Sequence, residues 1–366
     1  MFKLVATGRE ATLDRANVPP EGGPSMRFVL PVTLIVLCSA IAGRAAAGSE
    51  AAWMSAAAYS ERAGGLALVA CVDGRVVFER YAGGASASTP LRIYSGTKGF
   101  WTIAALKAEE QGILDLEEPA SRTLSEWRGT LRETITLRQL LAMVSGLAPL
   151  PQLHQSSIAN RNALALQAPL LSTPGTAFHY GPAPLQAFEE VLRRKLRWPS
   201  GADSIAFLKK TLLDPAGLPL RRCLTDRKGR PLLATGFTLT AREWMRWGEC
   251  LRLRGRFTFQ NVFPGSAIDE ATRGSGPNPM FGLGFWNNSG ARSSSPREMN
   301  IEQHLGDAHW PRGACISTVA PSDLFASVGS AGQRLYVIPS RRMVIVRMGE
   351  TTGFSDARFL GMLFGR

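Results

Sequence analysis

The chain has 366 residues, 45% of them hydrophobic and 19% charged, and a formal net charge of +13. That composition excludes a disordered or low-complexity protein, and the length allows a sizeable core in one large or two smaller domains. The basic balance does not imply a nucleic-acid partner, because the arginines are scattered with no stripe and no basic tail.

Residues 1–25 are polar and end in "NVPPEGGPS". Met26-Arg27 then opens the apolar run "FVLPVTLIVLCSAIAG", followed by "RAAAG". A basic start, an apolar run and small residues describe a secretory signal over 26–47, cleaved near Ala47. The run is short for a membrane span and is interrupted by Pro31, which leaves a retained N-terminal anchor as the alternative. The leader's five basic and three acidic residues leave +11 on the rest of the chain. A periplasmic or secreted location follows, and with it no nucleic-acid partner and no stable span after cleavage. Cys71, Cys223, Cys250 and Cys315 form no Cys-x-x-Cys pair, so no zinc knuckle is expected and no disulfide pairing is assigned.

"SEAAWMSAAAYSERAGG" predicts a short helix. "LALVACVDGRVVFERYAGG" predicts a hairpin about Asp73-Gly74. A helix is expected over 97–111 and stops at Gly112. Thr136 is expected to cap a helical run that ends at Gly146. Residues 183–197 and the "TAREWMRWGECLRLRG" stretch show helical spacing, the latter with Trp244, Trp247 and Leu251 on one face. The C-terminal part returns to strands: "MFGLGFW" (280–286), then a second hairpin around Pro339–Arg342, then a final helix. The expected fold is therefore α+β. An antiparallel sheet with flanking helices is built from both chain termini (48–94 and 278–366), and a mostly helical domain (95–277) is inserted into it.

Chemistry centres on "RIYSGTKGFW", residues 92–101. Ser95 and Lys98 are three apart at the first turn of a helix and share a face. A serine hydroxyl needs a base to become a nucleophile, and a lysine can be that base only when neutral. Burial and the positive end of the helix dipole both favour the neutral amine. The same turn offers a free backbone N–H for an oxyanion.

"YSGTKGFWTIAALKAEEQGILDL" resembles the nucleophile helix of the serine β-lactamase and penicillin-binding-protein superfamily, with the class C β-lactamases and their esterase relatives nearest. "ITLRQLLAMVSGL" looks like the helix that follows. "STPGTAFHYGPAPLQAFEEVL" resembles the segment presenting the second-motif tyrosine, and "SVGSAGQRLYVIPSRRMVIVR" the third-motif strand and its hairpin. The likeness runs in the same order over roughly residues 60–366. It implies a β-lactamase/transpeptidase-like fold, with Ser95 as nucleophile, Lys98 as base and Tyr180 as partner in proton transfer. Ser327, Gly329 and Ser330 fall on the third motif, and the N–H groups of Ser95 and Ser330 become the implied oxyanion donors. No cofactor and no metal are implied; the expected partner is a small-molecule ester, amide or lactam, and the oligomeric state stays open.

Two departures weigh on the substrate. The family's Tyr-x-Asn is here Tyr180-Gly181-Pro182, and the third motif has the neutral Ser327 in place of its cation. Both weaken the antibiotic and peptidoglycan readings more than ester hydrolysis. The expectation is an exported serine hydrolase acting through an acyl-enzyme on a small ester or amide. The alternatives are a true β-lactamase or D-alanyl peptidase, and a catalytically retired binding or sensor protein on the same scaffold. Arg92 or Arg334 is a candidate source of the missing charge. Glu302, His304, Asp307 and His309 in "EQHLGDAHW" have a spacing open to metal, but a polar loop is expected. His179 beside Tyr180 is a candidate cleft residue, and Trp286 and Trp310 are candidate cleft walls.

Overall fold

A computed structural model describes residues 48–200, 203–257, 259–351 and 353–365. The leader read at 26–47 lies outside the described residues. The first helix, α1 (Glu50–Arg62), begins where the Ser49 hydroxyl accepts the Ala52 amide. Strands β1 (Gly65–Val72) and β2 (Arg75–Tyr81) form the expected hairpin. Its turn residues Asp73 and Gly74 both take positive φ, 51° and 77°, as a two-residue turn matched to strand twist requires.

Helices α2 (Lys98–Glu110), α3 (Pro182–Ser200) and α4 (Ala241–Arg252) follow. The remaining main strands are β3 (Trp286–Asn287), β4 (Phe325–Gly329), β5 (Gln333–Ile338) and β6 (Met343–Gly349), and α5 (Asp356–Phe364) ends the described chain. The strands form one antiparallel sheet in the order β2-β1-β6-β5-β4-β3. Chain-end strands β1 and β6 are thus central neighbours, and the sheet cannot close until both ends of the chain are present.

The sheet is covered on both faces. Helices α1 and α5 pack together on one side, where the Tyr59 hydroxyl accepts the Ser355 amide at 2.9 Å. On the other side α4 lies across β5 and β6. Gly248 makes that approach possible, because a Cβ there would stand 2.5 Å from Val344 and 2.6 Å from Leu335. Trp244 and Trp247 on α4 are fully buried, as their helical spacing predicts. A small second sheet pairs Leu91–Arg92 and Arg222–Cys223 with Phe237–Leu239.

Three local expectations need correction. "MFGLGFW" is not one strand: only Trp286–Asn287 joins the sheet, and Phe281 makes a single bridge to Trp286. Gly284, at φ 130°, turns this segment against α2, where the Thr102 hydroxyl donates to the Leu283 carbonyl. The helix after Thr136 keeps its capping box with Gln139 but spans only Leu137–Leu141. Met143, at φ 60°, breaks it before Gly146, and the carbonyls of Met143 and Val144 then accept the amides of His179 and Gly175. The helix ends early because those carbonyls tether the Tyr180 segment. Finally, Ser95 sits not in an α-helix but in a 3-10 turn, Tyr94–Thr97, that leads into α2.

The four cysteines among the described residues are free, with Cys71, Cys250 and Cys315 buried. Burial pushes the Cys71 thiol up to about 12, the state of an inert core residue.

Candidate active site

The turn that carries Ser95 is strained at its first residue. Tyr94 holds φ 45°, a left-handed conformation that a bulky side chain rarely adopts. Ser95, the next residue, is partly exposed, while Lys98, one turn on, is 2% exposed. Lys98 Nζ donates to Ser95 Oγ at 2.9 Å and to the Ala234 carbonyl at 3.1 Å. Burial pulls this amine down to about 7, so a large share of it is uncharged at neutral pH.

Tyr180 arrives from the loop before α3, and its ring centroid lies 4.5 Å from Lys98 Nζ. The ring is walled by Phe281, Trp286 and Phe178. Burial raises its phenol well above the ordinary range, although a hydrogen bond with Ser95 works the other way. The phenol therefore keeps its proton at neutral pH, and the amine is the group able to accept one. Tyr180, from a separate stretch of sequence, thus meets Ser95 and Lys98 at one spot.

Pro182, in place of the family's asparagine, is the first residue of α3, where a missing N–H costs nothing. It brings no amide to Lys98, and the backbone carbonyl of Ala234 serves as the amine's acceptor. Gln186, one turn into α3 and fully buried, holds that loop: its Oε1 accepts the Leu233 amide at 3.3 Å and its Nε2 donates to the Pro231 carbonyl at 2.9 Å. On the far side of Ala234, Thr235 Oγ1 lies 3.2 Å from His154 Nδ1. Burial, then the Lys98 charge, takes His154 down to about 4 and keeps it neutral. Sequence reasoning missed Ala234, Gln186 and His154. A main-chain carbonyl leaves no sequence signal, and a glutamine on a helix face looks like any other.

The third-motif strand β4 passes beside the Ser95 turn. A Cβ on Gly329 would overlap the Ile93 carbonyl, two residues before Ser95, so the strand approaches at backbone distance. Ser327 is 1% exposed, and its hydroxyl has no partner among the described residues. It faces α2, 3.2 Å from where a Cβ of Gly99 would stand. Ser330 is exposed in the turn after β4, and its amide has no acceptor among the described residues.

Arg334 is not a free cation. It is fully buried and paired with Asp356 at 2.6 Å and Glu302 at 2.9 Å. Burial opposes its charge, but Asp356, Tyr336 and Glu302 hold it firmly protonated. Arg92 is exposed, with its guanidinium over the Tyr94 ring. His304 pairs with Asp307, and His309 Nε2 lies 3.0 Å from the Thr176 carbonyl. Among the described residues no group of three or more His, Cys, Asp or Glu is placed to hold a metal ion. His179 bonds to Ser172 at 3.0 Å, and Trp310 packs on Trp286. Among the described residues no helix is long and apolar enough to cross a membrane.

A family model described as beta-lactamase matches residues 50–360, and the chain belongs to that family. One similar protein is the ML-236A carboxylate methylbutanoyltransferase of Penicillium citrinum, 26% identical over 209 residues, covering 46% of this chain and 49% of that protein. The chain thus matches only about half the length of that relative. Among solved structures, a penicillin-binding protein homologue from Caulobacter crescentus superimposes with TM-score 0.61 at 15% identity, over 86% of this chain and 96% of that one. EstCE1, a hydrolase with promiscuous acyltransferase activity, superimposes with TM-score 0.60 at 18% identity, over 86% and 98%. These likenesses establish the fold.

Proposed function

We propose that the chain is an exported serine hydrolase that cleaves a small ester or amide through an acyl-enzyme. The observation that carries this reading is the buried, half-neutral Lys98 amine 2.9 Å from the Ser95 hydroxyl. Lys98 takes the hydroxyl proton as Ser95 Oγ attacks the substrate carbonyl carbon. The amides of Ser95 and Ser330 hold the oxyanion. As the tetrahedral adduct collapses, the leaving alcohol or amine takes a proton relayed from Lys98 through the Tyr180 phenol. Water then attacks the acyl carbon, gives its proton back along the same route, and frees Ser95.

An uncharged acyl group fits better than a β-lactam. Pro182 offers no amide to a substrate, Ser327 is neutral and buried, and Arg334 is spent on two carboxylates. The acyl-transfer activities named for the Penicillium protein and for EstCE1 are of the same chemical kind. The secretory leader read at 26–47 supports a periplasmic or secreted site of action.

Ser95→Ala is expected to lower turnover of a short-chain nitrophenyl ester by at least about 10³-fold with an unchanged melting temperature. Retained turnover would sink the proposal. Fluorophosphonate treatment followed by trypsin reports independently, since cuts after Arg92 and Lys98 release Ile93–Lys98 with the adduct on Ser95.

A further inference from the structure

The turn that carries Ser330 is held in an unusual way. It joins β4 to β5 through Ser330, Ala331 and Gly332, with Ala331 at φ 60° and Gly332 at φ 71°. A non-glycine residue rarely adopts that left-handed conformation, so the turn calls for support from outside it. Three side chains supply it. Arg334 Nη1 donates to the Gly329 carbonyl at 3.0 Å. Arg347 Nη1 donates to the carbonyls of Ala331 at 3.1 Å and Gly332 at 2.8 Å. Glu302 Oε1 accepts the Gly332 amide at 3.2 Å and pairs with Arg334 at 2.9 Å.

The two arginines stand opposite each other in the β5–β6 ladder, and both are 0% exposed. Like charges placed across a ladder repel, and a buried ion pair is often no more stable than an apolar pair of the same size. Arg347 has no carboxylate bonded to it among the described residues: its donors go to Ser60, Ala63 and the turn. Packing alone does not call for this pair. Its hydrogen bonds reach the backbone on either side of Ser330 and leave the Ser330 amide unbonded.

We infer that Glu302, with Arg334 and Arg347, is a positioning residue for the oxyanion donor: it fixes the Ser330–Gly332 turn so that the Ser330 amide stays free and set for the tetrahedral intermediate. The inference rests on the acyl-enzyme reading above. Glu302 is the member to test, because its side chain is 23% exposed and, among the described residues, bonds only to Gly332 and Arg334. The oxyanion donor is needed only once charge develops on the carbonyl oxygen, so a loosened turn lowers kcat and spares KM.

The test measures kcat and KM on a nitrophenyl ester, inhibition by phenylboronic acid, and thermal melting, for wild type, S95A, E302A and E302Q. Ser95 Oγ bonds to the boron as its proton passes to Lys98, which leaves a tetrahedral boronate anion, so the inhibitor reads the oxyanion site directly. E302A is expected to lose about 10- to 30-fold in kcat, less than deletion of a donor outright. Its KM should stay within about threefold, and its boronate Ki should rise by the same factor as kcat falls. E302Q keeps an acceptor for Gly332 and is expected within about threefold of wild type. Wild-type kcat in E302A, a loss confined to KM, an unmoved boronate Ki, or an equal loss in E302Q would each overturn the inference. If E302A does not melt cooperatively, E302D withdraws the carboxylate from Gly332 while keeping its charge, and the kcat, KM and boronate criteria apply to it. Should S95A retain wild-type turnover, the acyl-enzyme reading falls and this inference with it; a dead S95A beside an unaffected E302A removes this inference alone.

Discussion

Lys98 is the residue on which chemistry and stability pull in opposite directions. Its amine is held near 7 by burial against an ordinary 10.5. Only the neutral amine accepts the Ser95 proton, so turnover is expected to rise with pH along an acid limb centred near 7. A flat profile from pH 5 to 9 would remove Lys98 as the base. Between about 7 and 10.5 the unfolded chain holds a proton on this amine that the folded chain does not, so the group's contribution to stability increases as pH rises through that window. Lys98→Met removes the desolvated amine and this slope together. It is expected to abolish turnover yet melt about 2 °C higher at pH 7, a gain on the order of 1 kcal/mol, with the gap to wild type closing toward pH 10. A variant that melts lower than wild type would show that the bonds to Ser95 and Ala234 outweigh the burial.

At the scale of elements, the site depends on two close approaches that glycine permits. Gly99 lets α2 lie against Phe285, where a Cβ would stand 2.6 Å from the ring, and Gly329 lets β4 touch the carbonyl of Ile93. Gly99 directly follows Lys98, and Gly329 directly precedes Ser330. Gly329→Ala is expected to cost about 1–3 kcal/mol and to push the strand away from the Ser95 turn. Turnover should then fall by about 10²-fold, as for loss of an oxyanion donor. Normal turnover in a folded G329A protein would show that β4 plays no part in the reaction. Nothing within 327–330 announces how the turn after β4 is held, because the arginines that bond to it lie five and eighteen residues beyond Gly329.

For the molecule as a whole, strands from both ends of the chain form a single sheet, and the last helix closes the polar core beneath the site. Asp356 at the start of α5 pairs with Arg334 and accepts the Tyr336 hydroxyl at 2.6 Å. Asp356→Ala leaves a fully buried arginine with only the mostly buried Glu302 as counter-ion. It is expected to lower the unfolding free energy measured in urea by about 3 kcal/mol or more and to lower turnover in parallel. A loss of unfolding free energy below about 1 kcal/mol would mean that Glu302 suffices alone.

Local pattern determined much of this protein. The Asp73-Gly74 hairpin, the α4 face with its two tryptophans, the hairpin at Pro339–Arg342 and the terminal helix follow from turn chemistry and apolar spacing, which act within a few residues. Ser95, Lys98 and Tyr180 were legible because their order matched a known family, and Pro182 and Ser327 because they depart from it. The tertiary structure alone decided the rest: the Ala234 carbonyl on the amine, Gln186 and His154 around that loop, and the buried charges gripping the Ser330 turn. These are long-range contacts, several of them to main-chain atoms that every residue type carries, so identity at one position does not encode them; only the folded path of the chain brings such groups within hydrogen-bonding distance.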